Sequence, residues 1–173
     1  LFFVVITLLL FNHPVFCQMP QKCFNPDSFS ENYFTELKKE FGNNKVYPQQ
    51  FEKQILIALS YYPELKNSPI LFRIRKRHGG LNTRPTWAGA FESPRKRHFV
   101  ITISDSTEEM LMPVLFKNLP FNAQVGVMGH ELAHVLDFYN MSTKQIILHV
   151  IKNVSAKYID RFEYNTDAIC IAH

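Results

Sequence analysis

Between Pro120 and Met141 the chain carries a rhythm that decides how much of the rest must be arranged. Val125, Met128, Leu132, Val135, Leu136 and Tyr139 recur every three or four residues, the spacing of one face of an α-helix. The pattern predicts a helix over 121–139 whose apolar face makes it a core element. Set into it are His130 and His134, which at i and i+4 share a face. Glu131 stands beside them, about 100° further round the axis. Gly126 and Gly129 occupy positions where helix formers would be more stable. They point either to close backbone packing or to the approach of another molecule.

The remaining pattern alternates in type. Phe29, Tyr33, Phe34, Leu37 and Phe41 predict a helix over 28–41, stopped at Gly42-Asn43. Phe51, Ile55, Leu56 and Leu59 predict a second helix over 48–61. Ile70, Phe72 and Ile74 alternate with Leu71, Arg73 and Arg75 in period two, a strand. Residues 98–104 (HFVITIS) form the clearest strand, and 107–116 reads as a short helix interrupted at Pro113. Trp87 is expected in the core. Ser142 is a potential N-cap for a helix over 144–154, whose Ile147, Val150, Ile151 and Val154 share an apolar face. A last helix runs from about Lys157 to His173. With 173 residues, 46% of them hydrophobic and 16 of them Phe, there is apolar material for one packed domain. The expected fold class is α+β.

Leu1 to Phe11 is an uncharged apolar run. It has the length of a signal-peptide core and falls short of the roughly 20 residues that span a bilayer. Asn12, His13 and Pro14 break it, and Val15 and Cys17 suit cleavage before Gln18. A signal peptide over 1–17 is expected, its own start missing, followed by a single domain over 18–173 that stops inside a helical pattern and is expected to continue. Secretion is favoured over membrane anchoring, and no stable transmembrane span is expected. Cys23 and Cys170 could pair in an oxidising compartment. The formal charge of +4 falls short of the basic stripe of a nucleic-acid binder.

The chemistry lies in residues 130–134, His-Glu-Leu-Ala-His. Two imidazoles on one helix face can hold one metal ion, and the intervening Glu131 is placed to take a proton from metal-bound water. Zinc in hydrolases usually takes three protein ligands and keeps one position open. Downstream, Glu163 and Asp167 lie at i and i+4 on the predicted last helix. One can bind the metal while the other hydrogen-bonds a ligand histidine from outside the ligand set. Either could be the third ligand.

The two motifs together, His-Glu-Leu-Ala-His and then Glu-Tyr-Asn-Thr-Asp, resemble the gluzincin metallopeptidases, and in length the small secreted bacterial ones. The resemblance implies a zincin-like fold with a small, mainly antiparallel sheet over the active helix and C-terminal helices completing the site. It implies Zn²⁺ held by His130, His134 and Glu163, with Glu131 as general base and acid. It implies Asp167 as the partner that orients a ligand histidine, His130. It implies a peptide or protein substrate lying antiparallel to an edge strand, for which residues 98–104 are the candidate. The chain departs from the compact pattern in its long gap between His134 and Glu163, which the 144–154 helix would fill. No residue matches the family's oxyanion-stabilising signature. His173, Tyr158 and His149 are the candidates.

Two basic clusters, Arg73 to His78 and Arg95 to His98, flank the predicted strands. Paired in a hairpin they could make one face with weak affinity for anionic surfaces, although solvated strand ends account for them as well. Two other functions share these features. One is a non-catalytic zinc-containing or cell-envelope-binding protein, for which Glu131 would have no use. The other is an amidase acting on cell-wall peptides with the same site chemistry.

Overall fold

The computed structural model describes residues 24–76 and 80–173. The leader over 1–17, Cys23 as a potential partner of Cys170, and Arg77 and His78 of the first basic cluster lie outside the described residues.

Ser30 caps helix α1 (Glu31–Phe41), its hydroxyl accepting from the Tyr33 N–H. Asn44, at a φ of 59°, turns the chain into strand β1 (Lys45–Val46). A positive φ is one that asparagine tolerates. Helix α2 (Glu52–Ser60) follows a short 3-10 turn, and its run from Ile55 to Leu59 is buried. A helix covered on every side is a central element, beyond what its one-sided sequence pattern suggested. Strands β2 (Ile70–Arg75), β3 (Asn82–Pro85) and β4 (Phe99–Ser104) join β1 in a four-stranded sheet ordered β1-β2-β4-β3.

That sheet corrects three expectations. It is mixed, with β1–β2 and β2–β4 parallel and only β3–β4 antiparallel, where a mainly antiparallel sheet was expected. The cause is connectivity: α2 carries the chain from β1 to β2, and a crossover of that kind joins parallel strands. Residues 99–104 are interior, with all six buried, as a near-continuous apolar strand covered on both faces should be. The edge next to β4 is β3, a segment the sequence pattern did not assign. The two basic segments do not pair as a hairpin, because β2 and β4 run parallel. Arg97 is fully buried. It donates to the carbonyls of Gly89, Glu92, Phe138 and Met141 and so ties the turn before β4 to the end of the helix that carries His130 and His134. Trp87 is 77% exposed, beneath the Arg84 guanidinium, and is not a core residue.

Helix α3 (Phe121–Asn140) is the predicted core helix. It packs against α2, β3 and the last helix, with Met128, Leu132, Ala133 and Val135 wholly buried. A capping box of Ser142 and Gln145 starts α4 (Thr143–Lys152). Here the apolar stripe read from the sequence faces outward: Ile147, Val150, Ile151 and Val154 are exposed, while Ile146 and His149 are buried. The turn from α3 fixes which side of α4 meets the body, and that side is the Ile146–His149 side. Helix α5 (Ala156–Ala172) returns along α3 and buries Thr166 completely. Among the described residues no helix is long and apolar enough to cross a membrane.

Candidate metal centre

Helix α3 supplies His130 and His134, and α5 brings Glu163 across to them. The Glu163 Oε2 atom lies 3.3 Å from His130 Nε2 and 3.4 Å from His134 Nε2. Taken together, one ligand atom from each of the three residues lies within 4.8 Å of the others. This His-His-Glu group could hold a metal ion. Two donors about 2.05 Å from one ion at the tetrahedral angle stand about 3.3 Å apart, which the two Nε2–Oε2 separations match.

The outer nitrogens of both rings are engaged. His130 Nδ1 lies 3.0 Å from Asp167 Oδ1. An ionised carboxylate only accepts, so the ring donates from Nδ1. His134 Nδ1 lies 3.0 Å from Thr166 Oγ1, and the same hydroxyl donates to the Phe162 carbonyl at 3.0 Å. A hydroxyl has one proton, so Thr166 is left to accept from His134 Nδ1–H. With its proton on Nδ1, the neutral His134 ring turns its Nε2 lone pair towards the Glu163 carboxylate oxygen, and His130 Nε2 lies against the same oxygen. Two ring nitrogens and a carboxylate oxygen therefore converge on one point, the kind of donor set that suits a cation. His134 stacks on Phe162, and burial, reinforced by the neighbouring His130 and His149, pushes its pKa down to about 4. The ring is therefore neutral at pH 7, as a ligand must be.

Glu131 is buried beside the group. Its Oε2 accepts a 2.5 Å hydrogen bond from Thr83 Oγ1 on β3. Burial raises its pKa above the usual carboxylate range, opposed by the Thr83 bond and by His130. A cavity of about 230 Å³ opens onto these residues, walled by Asn82 and Thr83 of β3, by His149 of α4, and by Phe138, Asn153 and Phe162.

The three oxyanion candidates separate. His149 lines the cavity and bonds Tyr158 Oη through Nδ1 at 3.1 Å, which leaves Tyr158 behind it. His173 is elsewhere, stacked on Tyr62 and 3.6 Å from Glu64. It borders a different, mostly apolar cavity of about 420 Å³ beside the earlier turns of α3, shared with Cys170. Gly126 and Gly129 also border that second cavity. Gly129 accepts from Tyr62 Oη at 2.6 Å, and a side chain at Gly126 would meet open space. Neither glycine lines the metal cavity.

Sequence reasoning missed Thr83 and Thr166. Thr166 was reachable, since three residues after Glu163 it shares that helix face. Thr83 was not, because only the sheet order brings it to Glu131. No protein-family model matches the chain, and no curated protein and no solved structure match it.

Proposed function

We propose that this chain is a zinc-dependent peptidase of the gluzincin type. The observation that carries the reading is the convergence of two histidine Nε2 atoms and Glu163 Oε2 beside a buried carboxylate that is not needed as a ligand. The donor set of two imidazoles and one carboxylate suits Zn²⁺ with one position left for water. A bound zinc ion would acidify water and polarise an amide carbonyl.

The chain's own residues divide the remaining work. Glu131 is the proton carrier. Thr83 holds its Oε2, so the other oxygen is available to take a proton from the attacking water and return it to the leaving amine. Its raised proton affinity brings it nearer the operating range of a general base. His149, on the cavity wall, is the candidate donor to the oxyanion. The free edge of β3 borders the cavity and replaces residues 98–104 as the strand along which an extended peptide would lie. The apolar run at Leu1 to Phe11 supports work outside the cytoplasm.

The test is zinc content and peptide hydrolysis for the wild type, Glu131→Gln and Glu163→Ala. About one zinc per chain is expected in the wild type and in Glu131→Gln, with turnover in Glu131→Gln down at least a thousandfold, on the order of 4 kcal/mol. Glu163→Ala loses the metal. A wild type that binds zinc yet cleaves no peptide in a broad library would instead favour a non-catalytic zinc protein or a wall-peptide amidase. A folded wild type without zinc ends the proposal.

A further inference from the structure

We propose that Thr166 is a positioning residue for His134: it fixes the Nδ1–H tautomer and turns the bare Nε2 towards Glu163. The inference rests on the reading of His130, His134 and Glu163 as a metal site, but on no particular substrate.

Three observations carry it. Thr166 is fully buried, so no water competes for its hydroxyl. Its proton is committed to the Phe162 carbonyl one helical turn back, which leaves only lone pairs for the ring. His134 Nδ1 is 3.0 Å away in a buried contact, and Phe162 stacks on the same ring at 5.2 Å. The backbone acceptor, the hydroxyl and the stacking ring all belong to one turn of α5, the turn that also carries Glu163. Helix α5 therefore delivers a ligand and the aiming device for another ligand as one rigid unit. Asp167 performs the matching task for His130, so consecutive residues hold the two rings.

Removing the hydroxyl without changing the shape isolates this role. Thr166→Val keeps the volume and the buried methyl. It strands the His134 Nδ1–H in an apolar pocket and frees the proton to move to Nε2, where it would block the metal. Outer partners of metal histidines typically contribute 10–100-fold in affinity. Zinc affinity, measured by chelator competition, should fall by that factor in Thr166→Val and recover in Thr166→Ser. Thermal unfolding of the metal-stripped proteins checks that both variants fold.

A second readout needs no metal and no activity. In the metal-stripped wild type, long-range ¹⁵N–¹H correlations should show His134 protonated at Nδ1 and bare at Nε2, with a shift towards the Nε2–H form in Thr166→Val. An Nε2–H tautomer in the wild type overturns the proposal, as does wild-type zinc affinity in Thr166→Val. If the wild type binds no zinc at all, the metal reading itself fails, and that outcome is recognisable because no comparison between variants enters it.

Discussion

At the scale of single residues, the site consists of polar groups held by other polar groups in a buried setting. Glu131 shows the balance best. Burial drives its carboxyl towards the neutral form, and the Thr83 hydroxyl pulls back by bonding the charged form. A buried carboxylate that loses such a donor retains the desolvation penalty with nothing to offset it. If the chain is the proposed peptidase, Thr83→Val should therefore lower kcat about tenfold, near 1.4 kcal/mol of barrier, with a smaller effect on KM, while Thr83→Ser keeps most of the rate. Steady-state kinetics on any cleaved peptide decides this, and an unchanged kcat in Thr83→Val would show that the contact is incidental. Arg97 is a comparable case away from the site. Read along the sequence it belongs to a basic surface cluster. In the fold it is buried, its guanidinium spent on four backbone carbonyls.

At the scale of elements, periodicity located the helices well but does not by itself say which face packs. On α3 the apolar rhythm does face the core. On α4 it does not: Ile146 is 3% exposed, whereas Ile151 is 62% exposed. A helix with aliphatic residues on most of its circumference offers more than one face for packing, and the turn at Ser142 selects among them. The consequence for stability is direct. Ile146→Ala should cost about 2–4 kcal/mol through lost burial and the cavity left behind, while Ile151→Gln should stay within about 0.5 kcal/mol. Urea unfolding of the two variants measures both, and comparable losses would mean that the Ile151 side is covered in solution.

At the scale of the whole molecule, the protonation of the site is linked to folding. His134 takes a proton near pH 6.5 in an unfolded chain and only near pH 4 in the fold. A depressed folded-state pKa contributes stability that is complete above about pH 6.5 and is lost as pH falls towards 4. The window spans between two and three pH units, so the loss is at most on the order of 3 kcal/mol. The His149 shift, also downward through burial, has the same sign. Glu131 has the opposite one, since a raised pKa contributes stability at low pH that is lost as pH rises. The metal-stripped protein should thus lose stability between pH 6.5 and 4 more steeply than a His134→Asn variant, as read from urea midpoints across that range. Parallel pH curves for the two would show that His134 titrates normally in the fold. On the proposed reading, zinc would add to the wild type at neutral pH by mass action, about 4 kcal/mol when free metal is a thousand times the dissociation constant.

The sequence by itself determined whatever depends on spacing along one element. A helix repeats every 3.6 residues, so His130, Glu131 and His134 were bound to present two imidazoles on one face with the carboxylate to the side. Glu163, Thr166 and Asp167 were bound to share a face of the last helix. The α+β class and the positions of the two main strands were legible for the same reason. Tertiary structure alone decided which elements meet. The crossover through α2 made most of the sheet parallel, enclosed 99–104 between two neighbours and left β3 as the edge, and so brought Thr83 to Glu131. The path of α5 along α3 set Glu163 between the two histidines, and the turn into α4 put His149 on the cavity wall. These pairings join residues far apart in the chain, and no local periodicity encodes them, because they follow from which surfaces the core buries.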